Sequence, residues 1–255
     1  MTSTGGQVEP VQPQDSAPDH KGHDYKFLLR RLHEWLSPSS YFEIGTNSGE
    51  SLSIARCASI AVDPKFALGS RDVVGSKPHC SMYQMSSDTF FRRYDPIRIF
   101  DGPIDFAFLD GMHYCEFLLR DFANTERHCR ANSVIALHDC VPVELAIAGR
   151  VKAESRHPHR ANWWAGDVWR TILALRQHRT DLSFTVLDAS PTGLVLITHL
   201  NPRSTVLVDN YAVIVREMMS LSLEDIGLQG LFKAVNLEST SVIETREKVS
   251  QRFWL

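Results

Sequence analysis

Two short stretches hold the residues best suited to chemistry. Residues 109–114 read LDGMHY and residues 137–139 read LHD. Each sets an aspartate beside a histidine at the end of an apolar run, IDFAFL before Asp110 and NSVIAL before His138. An imidazole can take a proton near neutral pH. Carboxylates suit Mg²⁺ or Mn²⁺, and imidazole admits Mn²⁺, Fe²⁺ or Zn²⁺. Two carboxylates at neighbouring strand ends repel unless something cationic lies between them. Asp110 and Asp139 are therefore candidate metal ligands, with His138 the expected third. A plainer reading stays open, in which Asp110 caps the following helix and Asp139 binds loop amides. His113 is the candidate general base; alternatively it orients Asp110 or binds metal, and His138 can exchange roles with it.

For these residues to meet, the apolar runs must be neighbouring strands. Strand-type runs lie at 41–44, 59–63, 79–83, 104–109, 132–137, 182–187 and 193–198. Helical patterns fall between them: 25–36 (Leu28, Leu32, Trp35), 50–57 (Leu52, Ile54, Ala55), 87–93, 114–129 (Cys115, Leu118, Phe122, Cys129) and 167–178 (Val168, Ile172, Leu175). This alternation predicts a parallel sheet, and the short turn Pro191-Thr192-Gly193 predicts a closing antiparallel hairpin. The expected fold is a doubly wound α/β domain with a mostly parallel, seven-stranded Rossmann-like sheet. It has one antiparallel edge strand, helices on both faces and an extra N-terminal helix. Residues 1–20, rich in Gly, Pro, Gln and Ser, are expected to be disordered. The domain spans 21–200, and a helical extension covers 201–255.

In open α/β sheets ligands bind beyond the carboxyl ends of the strands. Those ends carry Glu43 and Gly45, Asp63, Met85 and Ser86, Asp110 and His113, and His138 and Asp139. The first turn, YFEIGTNSG over 41–49, spaces its glycines G-x-x-x-G, unlike the G-x-G-x-x-G of a dinucleotide site. A helix starting at Glu50 would turn its free amides toward an anionic group. Asp63 is placed to accept from ribose hydroxyls, although an ordinary βαβ turn with a capping aspartate reads the same way. The long connection 140–166 contains Arg156-His157-Pro158-His159-Arg160 and Trp163-Trp164. Cations and aromatics in such a loop suggest a lid, so His157, Arg160, Trp163 and Trp164 are candidate substrate contacts. The tryptophans could equally be core packing.

Glu43, Gly45, Gly49 and Asp63 together resemble the cofactor motif of class I S-adenosylmethionine (SAM) methyltransferases. The D-G-x-H-x-Y…H-D pattern resembles the small-molecule branch of that superfamily, which includes metal-dependent sugar O-methyltransferases and cephalosporin-hydroxylase-like proteins. The resemblance covers residues 25–200. It implies SAM held by Glu43, Gly45, Thr46, Asn47, Ser48, Gly49, Asp63, Ser86 and Asp110, with His113, Asp110 and His138 catalytic. It also implies a divalent metal, Mg²⁺ or Mn²⁺, on Asp110, Asp139 and a neighbour, for which His138 is the candidate, orienting a hydroxyl of a sugar or natural-product-like acceptor. The chain departs from these relatives in two places. His138 stands where they often have an acid, and Met85-Ser86-Ser87 stands where they tend to have Gly-Asp-Ser near the adenine. The alternatives are an N-methyltransferase, another metal enzyme on the same fold, or a non-catalytic SAM-fold binding protein. A nicotinamide dehydrogenase is disfavoured by the glycine spacing.

Composition narrows the partners. The chain of 255 residues is 43% hydrophobic and 22% charged, with a net charge of −3. That balance gives no reason to expect nucleic acid as a partner, and no apolar run is long enough to span a membrane. The five cysteines lack C-x-x-C spacing, so reduced thiols in the cytoplasm are expected. The expected partner is a small-molecule acceptor. The sequence leaves the oligomeric state open, a homo-oligomer included.

Overall fold

The computed structural model describes residues 15–69, 72–75 and 77–255. The helix α1 (Tyr25–Leu36) leads into the sheet. Asp24 caps it by accepting from the Lys26 amide, and Leu28, Leu29 and Leu32 are its buried stripe. There follow β1 (Ser40–Ile44), β2 (Ala58–Val62) and β3 (Cys80–Tyr83), then α2 (Ser87–Arg93) and α3 (Pro96–Phe100). Next come β4 (Ile104–Leu109), α4 (Cys115–Glu126) and β5 (Cys129–His138). After the long connection, α5 (Trp169–His178) precedes the hairpin of β6 (Ser183–Leu187) and β7 (Leu194–Thr198).

The strands are ordered β3-β2-β1-β4-β5-β7-β6, with an eighth strand beyond β6. The chain leaves β1 in one direction for β2 and β3 and returns to its other side for β4 and β5. A topological switch point thus lies between β1 and β4, where open α/β sheets bind ligands. Ile44 is level with both Val62 and Leu109, and Leu109 is level with Leu137. This register puts Gly45, Asp63, Asp110 and His138 along one edge, with Asp139 the next residue. Strands β1 and β4 are buried along their whole length, as expected for a sheet covered on both faces.

Three expectations need correction. The sheet has eight strands rather than seven. Its antiparallel strand is β7, which pairs with β5 and β6 and lies inside the sheet. The outer strand is instead β8 (Leu237–Glu238), a parallel addition to β6 from the C-terminal region. The helix expected over 50–57 is a single 3₁₀ turn, Leu52–Ile54. The serines there favour local bonds, with Ser53 Oγ donating to the Glu50 carbonyl. No helix N-terminus therefore serves the first turn.

The region after β7 is mostly helical, as expected. It comprises α6 (Val206–Asp209), α7 (Tyr211–Ser220), α8 (Leu223–Ile226), α9 (Leu228–Ala234) and α10 (Arg246–Ser250). It is woven into both layers: Ile214, Met218 and Leu231 join the core on the α4–α5 face, and Ile243, Val249 and Phe253 join α1 on the other. Residues 1–14 of the expected disordered tail lie outside the described residues. Residues 15–20 form a strap, in which the Ala17 amide donates to Val143 O and a His20 ring nitrogen donates to Val141 O. No described helix is long and apolar enough to cross a membrane, and all five cysteines are free. Phe253 is 2% exposed beneath α1. Phe253→Ala should therefore cost about 3–5 kcal/mol, read as a lowered urea midpoint at unchanged slope. A change below about 1 kcal/mol would mean that the C-terminal segment is not part of the core.

Candidate active site

The strands deliver the predicted acids to one place. Asp110 Oδ1 lies 3.3 Å from His138 Nδ1 and 3.5 Å from His113 Nε2. Asp139 Oδ2 is 3.1 Å from His113 Nδ1, and its Oδ1 is 3.4 Å from His138 Nδ1. Two carboxylates are thus bracketed by two imidazoles, and the Thr192 hydroxyl donates to Asp139 Oδ1.

The local backbone makes this possible. His113 and Asp139 both have positive φ, 58° and 62°, which is uncommon for residues with a side chain and collects at functional sites. Along β5, Val134 and Ala136 face the α1 side while Ile135 and Leu137 face the other. His138 continues the first set, beside Tyr25 (ring centroids 4.0 Å apart) and Phe108. The left-handed turn at Asp139 brings its carboxylate back to the same cluster. His113 is held from the other side: its Nδ1–H donates to Trp164 O at 2.8 Å, and its own carbonyl accepts from the Asp167 amide. Any Cβ on Gly166 would collide with that carbonyl, so only glycine allows this contact.

The carboxylates dominate the electrostatics. Burial alone would lower the His113 imidazole, but the hydrogen bond to Asp110 and the charges of Asp139 and Asp110 raise it to about 9. Burial also opposes charge on His138, and Asp139 and Asp110 override it to about 10. Burial would raise Asp110, yet the two histidines hold it well below the usual carboxylate range.

A cleft of about 770 Å³ opens beside this cluster, a size suited to a small-molecule ligand. Ile44, Gly45, Asn47, Asp63, Ser86, Asp110, His113, His138 and Asp139 line it, as do Trp163 and Trp164. Asp63 accepts from the amides of Asn47 (2.8 Å) and Lys65 (2.7 Å), which fixes its carboxylate at the rim. Several expected contacts fall elsewhere. Glu43, Thr46, Ser48 and Gly49 are not among the lining residues. Glu43 points into the core, where it accepts from Tyr41, and burial lifts its carboxyl to about 7. Gly49 is required by packing, since a Cβ there would sit 2.8 Å from Val73 Cγ2. Gly45 lines the cleft and is also required by packing, since a Cβ there would collide with the Asp110 carbonyl.

Arg160 and His157 do not face the cleft. Arg160 is 3% exposed and binds Asp19, Ser16, Ala17 O and Glu144. His157 meets Ser16 at 3.0 Å. Both tie the connection to the strap. The metal assignment also shifts. The ligand atoms that close within 4.8 Å of one another belong to Asp110, His113 and Asp139, not to the expected set with His138. A second cluster, Cys115, Glu116 and Asp167, is already filled by Arg150 and Arg170. The sequence reading missed Asn162, Phe117, Asp121, Pro191 and Thr192 in the lining. Phe117 and Asp121 left only the faint signal of an i, i+4 pair.

Residues 42–140 match the family described as a methyltransferase domain. The matched stretch runs from β1 past Asp139 and contains nearly all the strand ends of the site. That stretch is less than half of the chain, and the five parallel strands closed by an antiparallel hairpin are the doubly wound α/β arrangement expected from the sequence. No curated protein matches the chain. Among solved structures it is similar to cofactor-bound Rv0187 from MTB, at 16% identity over 69% of this chain and 80% of that one, TM-score 0.49. It is similar at the same four values to the O-methyltransferase TomG from Streptomyces achromogenes, involved in tomaymycin synthesis and in complex with SAM. The O-methyltransferase from Bacillus cereus in complex with SAH gives 15% identity over 72% and 84% of the two chains, TM-score 0.48.

The raised histidines give a pH prediction. A histidine whose folded pKa lies above its unfolded value adds stability that is complete below the unfolded pKa and is lost as pH rises through the folded one. In cation-free protein this contribution should be full below about pH 6.5 and disappear between there and about pH 10. A double variant Asp110→Asn, Asp139→Asn should lack that decline. Denaturation midpoints across pH measure it, and parallel curves for the two proteins would contradict the charge pairing.

Proposed function

We propose that this protein transfers the methyl group of SAM to a hydroxyl of a small molecule, with a sugar or natural-product-like compound as acceptor and a divalent cation at Asp110, His113 and Asp139. One observation carries the proposal: two strand-end carboxylates and an imidazole converge on the wall of a ligand-sized cleft at the switch point. The donor set fits both groups. Asp63 offers carboxylate oxygens to a ribose diol, and a lining that includes Phe117, Met112 and Val62 suits a purine and a thioether chain. Two carboxylates with one imidazole suit Mn²⁺ or Mg²⁺. Such a cation, when bound, lowers the pKa of a coordinated hydroxyl and fixes its position.

The methyl carbon is already activated by its sulfonium. The protein must align donor and acceptor and remove one proton. Asp110 and Asp139 orient the acceptor from two strand ends. The His113 Nδ1–H is committed to the Trp164 carbonyl, which leaves Nε2 as the nitrogen able to hold the cation or, in a cation-free site, to take a proton. Trp164 stacks on His113 at 5.4 Å and walls that side of the cleft.

A second reading has an observation of its own. The two imidazoles already neutralise the carboxylates, so His113 alone could act as base. Held at about 9, it carries its proton at neutral pH, and activity by that route should rise as pH approaches 9. Under the cation reading, chelation removes activity and Mg²⁺ or Mn²⁺ restores it. Asp139→Ala should lose cation binding and keep binding of the demethylated product, S-adenosylhomocysteine. Full activity in excess chelator, with no metal by elemental analysis, leaves only the histidine route.

A further inference from the structure

The cleft extends away from the reacting cluster to Ser86, Ser87, Asp88, Phe117 and Asp121, none of which the methyl transfer uses. On the SAM reading, the ribose sits at Asp63 and the methyl group faces Asp110 and Asp139. The purine is then left with this far end. Three carboxylates border that half of the cleft: on this reading Asp63 is taken by the ribose, and Asp88 is taken by Arg120. Asp63 accepts from two backbone amides. Asp88 takes both arms of Arg120, at 3.1 and 2.8 Å, and Arg120 is held in turn by the Tyr211 hydroxyl of α7.

Asp121 is the third. It is 4% exposed. An ideal Cβ on Gly111 would lie 3.5 Å from Asp121 Oδ2, which places that oxygen just under the turn after β4. Phe117, one helical turn earlier on α4, lines the cleft beside it.

We propose that Asp121 recognises the adenine of the cofactor, its carboxylate accepting a hydrogen bond from the exocyclic 6-amino group of a ring held against Phe117. This rests on the SAM reading above. A buried carboxylate with unspent acceptor capacity is costly to leave unpaired and gains most from a donor brought by the ligand. Burial above all, with the Asp88 charge adding, pushes the Asp121 carboxyl up to about 7, so the binding test is run above that pH, where the carboxylate is ionised. The sequence departure after the third strand agrees with the proposal. Met85-Ser86-Ser87 offers no carboxylate where the related proteins carry one, and Asp88, the next residue, is held by Arg120, so the carboxylate left at this end of the cleft comes from α4.

The test is calorimetric binding of S-adenosylhomocysteine and of its 6-deamino analogue, in which hydrogen replaces the amino group. Wild-type protein should prefer the amino compound by about 10- to 100-fold, as for one hydrogen bond to a charged group. Asp121→Leu should bind the two alike, and Asp121→Asn, which keeps an acceptor oxygen, should retain part of the preference. Equal affinities in the wild type overturn the proposal without any variant, and so does an undiminished preference in Asp121→Leu. Failure of the wild type to bind either compound would instead bring down the SAM reading, and the proposal with it.

Discussion

Everything at the site depends on keeping two carboxylates together at adjacent strand ends. The parallel register of β4 and β5 sets Asp110 level with His138, and the left-handed turn at Asp139 brings the second carboxylate to the same place; like charges at that separation must be compensated. Two imidazoles and the Thr192 hydroxyl compensate them here, and each comes from a different part of the chain. The buried carboxylate of Asp167 supports the arrangement from behind. It accepts from the Cys115 amide at the start of α4 and from Arg150 and Arg170, while its own amide holds the His113 carbonyl. The left-handed backbone at His113 is therefore fixed by contacts on both sides, which is how a strained residue persists.

Much of this was legible in the sequence. The apolar runs 104–109 and 132–137 marked two strands, and the polar residues after them marked the edge where ligands bind. Asp63, Asp110, His113, His138 and Asp139 all reached that edge. The roles of the two histidines were not legible. In an extended strand successive side chains alternate, so His138 should face away from Asp139, and only the left-handed turn at Asp139 reunites them. No composition or spacing announces a positive φ on an aspartate. The helix expected over 50–57 failed for a similar reason. Its apolar spacing was adequate, but local serine bonds competed with the helical ladder.

The connection 140–166 shows the limit of reading residue types. Arginines and histidines in a loop suggest a solvated, substrate-facing surface, yet Arg160 is buried in a network with residues some 140 positions away. Its partners lie in the strap 15–20, whose composition reads as disordered. That segment has little apolar surface to bury, with Ala17 its one buried hydrophobic residue. Polar bonds order it instead: backbone pairing to Val143 and charge-assisted contacts to Arg160. Only the partner segment supplies these, so the order is invisible in the strap's own sequence. The tryptophans beyond Arg160 do reach the cleft. The loop is thus a wall on one side and an anchor on the other.

The same carboxylates frame the choice between the two mechanisms. A proton on each imidazole and a divalent cation are alternative ways of neutralising Asp110 and Asp139, and they compete because a ligating imidazole must be neutral. Raising His113 to about 9 therefore has two consequences. It stabilises the cation-free site, and it withholds the base until positive charge arrives from elsewhere or the pH rises. A site built only for a free histidine base would do better with a pKa near 7. Two carboxylates around His113 push it the wrong way for that role, and this mismatch is the physical ground on which the cation reading is preferred.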